Sequence, residues 1–530
     1  MKEFNTTGVC IPSKHYMEDI TERIGEIRKM VDAGKYFAIN RARQYGKTTT
    51  LNLLRRALQK DYQVVSLDFQ GLGNASFRTE EDFCRGFVNL ILTRATYGTV
   101  QLPETVLKQM NSFVEAGSGS NKLENLMKMI RLWCKKADKP VVLLIDEVDS
   151  ATNNQVFLDF LAQLREGYIN RDTEDAPAFQ SVILAGVTDV RHLRSKIRPD
   201  EQHKVNSPWN IAAEFDIDMS LSETGIRGML EEYEGDHHTG MDTAMMAKLL
   251  RDYTEGYPFL VSRLCQLMDT KVSRLFESLA QVWTRRGMDE AVKMILSEDN
   301  TLFQSLMGKL INYPELKEAF RSILMEGERV SYNPDREDIA QMLMYGFIRV
   351  EQNMVKIANR IFETRLYNYF LSEEEFRSNA FNREAQLAGN QFVRGGKLDM
   401  RLIMERFIVA YTQICGPLTD RFKEKDGREL FLLYLKPIIN GTGNYYIEAQ
   451  TRDQTRTDVI VDYLGRQYII ELKIWRGERY NAEGERQICE YLDYWNLNAG
   501  YMLSFNFNQN KEPGVRRVPI GEKILFEGML

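Results

Sequence analysis

Asn40-Arg41-Ala42-Arg43-Gln44-Tyr45-Gly46-Lys47-Thr48-Thr49-Thr50 lies between a short apolar run, Tyr36-Phe37-Ala38-Ile39, and a helical pattern of Leu51, Leu53, Leu54, Ala57 and Leu58. Gly46-Lys47-Thr48 therefore falls where a buried strand turns into a helix. Amide N–H groups at a helix start carry partial positive charge, a lysine adds a full one, and a threonine hydroxyl can hold Mg²⁺ against the β- and γ-phosphates. The expected ligand is ATP, gripped by Gly46, Lys47, Thr48 and Thr49, with Mg²⁺ on Thr48. The usual phosphate loop reads G-x-x-x-x-G-K-[ST], and Arg41 stands here at the first glycine position. Gly46, the glycine nearest the β-phosphate, is kept, so the loop is expected to bind.

A second motif supports the first. Val141-Val142-Leu143-Leu144-Ile145 runs into Asp146-Glu147-Val148-Asp149. An uninterrupted apolar run of this length reads as a strand buried on both faces of a parallel sheet, and such sheets place ligands at the C-terminal ends of their strands. Asp146 is expected to hold the Mg²⁺ shell through water, and Glu147 to orient and deprotonate the water that attacks the γ-phosphate. An extra strand between the Lys47 loop and this acidic pair suits the ATPase branch that uses a catalytic glutamate.

Tyr62 to Phe69 reads as a second strand and Phe179 to Asp189 as a further core strand. The tip of the latter offers Thr188, Asp189 or Arg191 as a γ-phosphate sensor, with nothing to choose among them. Ahead of the loop, Met17 to Ala33 reads as a helix buried through Ile20, Ile24, Ile27 and Val31. Tyr16 could lie over an adenine ring or simply pack.

The chain has 530 residues, which at roughly 150 per domain suggests three or four domains. Hydrophobic residues make up 43% and charged residues 27%, an ordinary balance for a protein with several cores. A net charge of -6 excludes a uniformly basic coat, so any contact with a phosphate backbone comes from local patches. Six cysteines lack any C-x-x-C pair and five histidines show no ligand spacing, which argues against disulfides and zinc. No window approaches the roughly 18 apolar residues of a membrane helix, and the first residues do not begin a signal peptide. The expected location is the cytoplasm, with no membrane partner.

Ser207-Pro208-Trp209-Asn210-Ile211-Ala212, followed by Thr254-Glu255-Gly256-Tyr257-Pro258-Phe259-Leu260-Val261, resembles the AAA-like, STAND-related P-loop ATPases over about residues 1–275. The resemblance implies a helical lid opened by a G-x-P segment, with Pro258 touching nucleotide and reporting its state. The next stretch, 276–370, is mostly helical and ends in a hairpin over Phe347–Ile357, as in the winged-helix units that follow the ATPase core in that group. There the expected role is packing in preference to DNA contact. Residues 371–399 are polar, without apolar period, and read as a linker.

The last stretch carries a different pattern. Leu430 to Leu435 reads as a buried helix introduced by Glu429. Strands follow at Tyr445–Ala449, Thr457–Tyr463 and Tyr468–Lys473, the last two joined by a tight turn at Leu464-Gly465-Arg466-Gln467. A helix over Glu485–Tyr494 and a strand over Gly500–Phe505 complete an αβββαβ order. Residues two apart in a strand share a face, so Glu471 and Lys473 project together while Leu472 offers its carbonyl, and Asp458 can meet them across the hairpin. Two carboxylates and a carbonyl suit Mg²⁺ or Mn²⁺, and a lysine beside the metal can position and deprotonate the attacking water.

This arrangement resembles the PD-(D/E)XK nuclease superfamily over about residues 400–510. Asp458, Glu471 and Lys473 match its core, Glu429 its first-helix acid, and Gln487 with Tyr491 its helix Q-x-x-x-Y variant. Thr457 stands where the family's proline would be. The expected fold class is therefore α/β. A P-loop ATPase with parallel sheet and helical lid spans 1–275, and a winged-helix-like region spans 276–370. A linker over 371–399 leads into a restriction-endonuclease-like domain over 400–530.

The expected activity is nucleotide-controlled, metal-dependent cleavage of nucleic acid, DNA in preference to RNA, by a chain that can form a homo-oligomer. The alternative is a STAND-like switch that oligomerises with ATP and cuts nothing.

Overall fold

The computed structural model describes residues 2–116, 121–171, 176–188, 209–324, 330–375, 391–415, 424–439, 443–448, 457–464, 466–475, 485–486, 488–489, 492–493, 497–507 and 512–530. They form two compact units. One comprises Met1–Leu221 with Met344–Gly346, the other Ser222–Leu343 with Phe347–Leu530.

In the first unit, β1 (Phe37–Asn40), β2 (Gln63–Asp68), β3 (Val141–Asp146) and β4 (Ser181–Gly186) form a parallel sheet in the order β1-β4-β3-β2. Every residue of β3 and β4 is buried. Alternation sorts their side chains between two cores, because successive residues of a strand point to opposite faces. Val142, Leu144, Ile183 and Ala185 join Phe37 and Ile39 under α1 (Thr21–Asp32) and α2 (Lys47–Leu58). Leu143, Ile145, Val182 and Leu184 face α3 (Glu80–Thr96), α4 (Glu104–Glu115), α5 (Leu123–Lys136) and α6 (Gln155–Asn170).

The helix expected from Met17 begins at Thr21, whose amide and hydroxyl both donate to Asp19. Tyr16 is 1% exposed with its ring 5.1 Å from that of Phe4, so it packs.

The second unit opens with the helices α7 (Glu223–His237), α8 (Thr243–Thr254), α9 (Pro258–Thr270), α10 (Leu279–Val282) and α11 (Arg285–Ser297). Then come α12 (Thr301–Asn312), α13 (Pro314–Leu324), α14 (Glu337–Met344), the antiparallel hairpin β5 (Ile348–Glu351) and β6 (Met354–Ile357), and α15 (Arg360–Glu375).

A small hairpin, β7 (Val393–Arg394) and β8 (Lys397–Leu398), stands in the stretch read as linker. It is tied into the following fold, since Phe392 is fully buried near the Tyr434 ring and the Leu398 amide donates to the Tyr468 hydroxyl at 2.9 Å.

Beyond α16 (Met400–Cys415) and α17 (Glu424–Ile439) lies a mixed six-stranded sheet ordered β13-β14-β12-β11-β10-β9. Its strands are β9 (Gly443–Glu448), β10 (Thr457–Tyr463), β11 (Arg466–Ile474), β12 (Ala499–Phe505), β13 (Gly514–Ile520) and β14 (Lys523–Met529). The run β9-β10-β11 is an antiparallel meander, and β12 lies parallel to β11.

The closing β13–β14 hairpin was not anticipated. β13 is an edge strand with Arg516, Arg517 and Pro519 exposed, so it lacks a long apolar run, and proline is tolerated there because an edge amide needs no partner. One face of the sheet gathers Ile460, Ile469, Met502 and Leu525 beneath Ile488 and Leu492. Gly500 allows that close approach, since a Cβ there would stand about 3.0 Å from Ile488.

Candidate functional sites

Gly46 ends the loop with φ 81°, a left-handed conformation that glycine adopts freely, and caps α2. Lys47 follows as the first helical residue and is only 7% exposed. Its ammonium donates to the carbonyls of Arg41 and Ala42, both at 2.9 Å. Burial lowers the Lys47 pKa, and the carboxylates of Glu147, Asp149 and Asp146 act against that shift. The loop and the acidic end of β3 thus share one electrostatic neighbourhood.

The Thr48 hydroxyl bonds the Asp146 carboxylate, which also accepts the Glu147 amide at 3.0 Å. Burial holds the Asp146 carboxyl above its usual range despite those two donors. Glu147 keeps an open face to solvent, yet lost hydration on its inner side and the adjacent Asp146 charge raise its pKa as well. Glu147 has φ 54°, a conformation that costs a non-glycine residue about 1–3 kcal/mol and persists where surrounding structure imposes it. Thr49 sits differently, because its hydroxyl accepts the Cys10 amide at 3.0 Å and so ties the N-terminal segment to α2.

β4 stands between β1 and β3, whereas β2, the strand that separates the Lys47 loop from Asp146-Glu147 in the sequence, lies at the edge of the sheet. The tip of β4 is held from both sides. The Arg41 amide donates to the Gly186 carbonyl at 3.2 Å, and the Asp149 carboxylate accepts the amides of Val187 and Thr188 at 2.7 and 2.8 Å. This role of Asp149 was missed. The signal available was a third carboxylate in Asp146-Glu147-Val148-Asp149, one more than the Mg²⁺ shell and a base require.

The structure also accounts for the arginine in a glycine position. The Arg41 guanidinium donates to the carbonyls of Asn40 (2.9 Å), Ile217 (2.9 Å) and Phe215 (3.4 Å) and lies over the Phe215 ring at 5.3 Å. It therefore fastens the loop to the segment after β4. Thr188 is described at the β4 tip, whereas Asp189, Arg191 and Ser207-Pro208 lie outside the described residues. Pro258 begins α9 in the second unit.

In the C-terminal sheet, Glu471 and Lys473 share a face of β11, with Nζ 3.4 Å from Oε1. They are 2% and 9% exposed. Leu472 between them is fully buried opposite Leu503 of β12. The β10–β11 ladder ends at Val459↔Ile470, one residue short of Asp458 and Glu471. Glu429 lies on α17, and Gln487 and Tyr491 fall outside the described residues. Among the described residues no cluster of three or more His, Cys, Asp or Glu side chains forms a metal site.

A second acid, Glu527 of β14, is 1% exposed and ion-paired with Arg516 across the β13–β14 hairpin. The sequence reading passed over it because it passed over its strand, although Lys523-Ile524-Leu525-Phe526 carries a strand-like apolar run.

A family model described as an AAA-like domain matches residues 5–372. No curated protein matches the chain. Among solved structures the chain is similar to the Walker-type ATPase PABY2304 of Pyrococcus abyssi, at 12% identity and TM-score 0.46, over 69% of this chain and 99% of that one. The Aeropyrum pernix ORC1 protein in complex with DNA follows at 11% identity and TM-score 0.30, over 67% and 94%. The Thermotoga maritima RuvB Holliday junction branch migration motor matches at 13% and 0.32, over 64% and 91%.

Arg41→Gly restores the usual loop residue and removes donors to three carbonyls. It is expected to lower the stability of the first unit by about 1–3 kcal/mol, read from its urea midpoint. A midpoint equal to wild type would show that the guanidinium fastens nothing.

Proposed function

The chain belongs to the AAA-like domain family, and from that premise we propose that it binds and hydrolyses ATP to control a metal-dependent nuclease in its C-terminal sheet. For the ATPase, the supporting observation is the convergence of Lys47, Thr48, Asp146 and Glu147 at the ends of β1 and β3 with β4 between them. The donor set fits a triphosphate with Mg²⁺, namely a buried ammonium, helix-start amides, a hydroxyl and a carboxylate. Thr48 and Asp146 would hold Mg²⁺, which when bound neutralises phosphate charge. Lys47 grips phosphate, and Glu147 orients the water and takes its proton.

For the nuclease, the supporting observation is the buried pair of Glu471 and Lys473 on one face of β11, in a hairpin whose β10 strand also carries Asp458. Asp458, Glu471 and the Leu472 carbonyl are all-oxygen ligands that fit Mg²⁺ or Mn²⁺. Such a metal supplies Lewis acidity toward a phosphodiester. Lys473 positions the attacking water, and Gln487 is proposed beside it from the family pattern. DNA is the favoured substrate.

The winged-helix-like segment serves packing. Its hairpin cations are neutralised, Arg349 by Glu255 and Lys356 by Glu351, and α14 begins with Glu337 and Asp338. Nucleotide control is supported by the anchoring of the residues around Pro258. The Tyr253 hydroxyl donates to the buried Asp462 of β10 at 2.5 Å, Glu255 pairs with Arg349, and the Tyr257 ring meets Phe362. A homo-oligomer is the proposed assembly.

Lys47→Ala is expected to cut ATP turnover at least about 100-fold, measured as phosphate release. Turnover that survives the change would sink the ATPase reading. A carboxyl with a raised pKa takes up its proton at higher pH, so the turnover of the wild type should fall on acidification through a limb above the ordinary carboxylate value of about 4. A kcat profile flat down to that value would refute a role for the Asp146 and Glu147 carboxylates.

Lys473→Ala should reduce cleavage by about 10²–10⁴-fold while ATP turnover stays near wild type. The assay is a panel of single-stranded, duplex and circular DNA with Mg²⁺ or Mn²⁺, with and without ATP. Equal cleavage by wild type and variant, or ATP-dependent oligomerisation with no cleavage at all, would end the nuclease assignment.

A further inference from the structure

Among the carboxylates around Lys47, Asp149 is the one left without a task by the ATPase reading, on which this inference rests. Both of its oxygens accept main-chain amides, Oδ2 from Val187 at 2.7 Å and Oδ1 from Thr188 at 2.8 Å. A carboxylate occupied in that way is fixed in rotation as well as position, because two donors on adjacent residues define its plane.

Its own main chain is held in turn. The Thr152 hydroxyl donates to the Asp149 carbonyl at 3.0 Å, within the short turn Val148–Ser150 that starts at the strained Glu147. On the other side the fit leaves no slack. A Cβ at Gly186 would stand 2.8 Å from Val148 Cγ2 and 3.2 Å from Asp149 Oδ2, so only glycine lets β4 lie this close. The Gly186 carbonyl accepts the Arg41 amide of the phosphate loop at 3.2 Å. The loop, the β4 tip and the acidic turn are thus three pieces joined in series, with Asp149 as the joint between the last two.

We infer that Asp149 is a positioning residue for ATP hydrolysis, holding the tip of the middle strand so that the Glu147 turn keeps its geometry against the Lys47 loop. Its loss disturbs the alignment of the base more than the grip on phosphate, which belongs to α2 and Lys47. Misplacement of about 1 Å in such a frame can cost about 100-fold in rate.

The test uses Asp149→Asn in the full chain. The amide is nearly isosteric but keeps one acceptor oxygen and presents a donor to the other N–H. The expected result is a kcat lowered about 10–100-fold, with the affinity for a fluorescent ATP analogue and the thermal midpoint close to wild type. Gly186→Ala, which leaves the carboxylate intact and pushes a methyl against it, should lower kcat in the same way. The double variant should fall short of the product of the two effects, since coupled sites are not additive. Wild-type kcat in Asp149→Asn, or parallel loss of ATP affinity and turnover, would overturn the inference. A wild-type protein that hydrolyses no ATP would instead remove the ATPase reading and this inference with it.

Discussion

A lysine ammonium buried at the start of a helix is costly unless something compensates it, and the first unit is arranged around that compensation. Lys47 gives up water and receives two carbonyl oxygens from its own loop, with three carboxylates from the end of β3 in electrostatic reach. The desolvation of an unpaired charge would exceed what a marginally stable fold tolerates. The loop therefore has to curl back on itself, and β3 has to end beside it. Both conditions are met in a parallel sheet ordered β1-β4-β3-β2. Burial raises Asp146 and Glu147 in the same neighbourhood, and the Lys47 charge acts against that rise.

The C-terminal sheet reaches a similar electrostatic situation by another route. Glu471 and Lys473 sit on the face that also buries Ile469 and Met502, where a carboxylate alone would be expensive. Their proximity follows from strand periodicity, since any two residues at i and i+2 share a face. No loop has to be shaped for it. What β periodicity cannot supply is the third group, and the β10–β11 ladder ends one residue short of Asp458. The first pairing is built by a loop closing on its own lysine, the second by the alternation of one strand.

The difference also explains what the sequence disclosed. Motifs whose geometry is local were legible: the strand-turn-helix around Gly46, the apolar run ending in Asp146-Glu147, the hairpin around Leu464 and the pair at 471 and 473. β10 spans Thr457–Tyr463, the limits its alternation suggested. Features made by distant partners were not. Arg41 read as a tolerated departure from the glycine pattern with no task of its own, because its acceptors, Phe215 and Ile217, lie more than 170 residues away. Asp149 drew no assignment because the amides it holds lie 38 and 39 residues on. β13 escaped because an edge strand with exposed arginines and a proline lacks the pattern of a buried one, β14 was passed over with it despite its apolar run, and 392–399 read as linker because its packing rests on Phe392 and one amide to Tyr468.

Asp462 shows why such distant contacts matter for how the second unit behaves as one piece. It is 2% exposed on β10, and burial raises its carboxyl while the Tyr253 hydroxyl, Gln467, Arg360 and Arg285 act to keep it charged. Removing any one of these donors leaves the buried group less well satisfied, and an unsatisfied buried carboxylate is costly. The arrangement is thus cooperative: α8 contributes Tyr253, α11 Arg285, α15 Arg360 and β11 Gln467 to a single carboxylate. Helices α8, α11 and α15 and the sheet that follows them are held to a common point four residues from Asp458. A shift of α8 that kept this hydrogen bond would have to carry β10 with it, whereas one that broke it would expose the energetic cost of the buried acid.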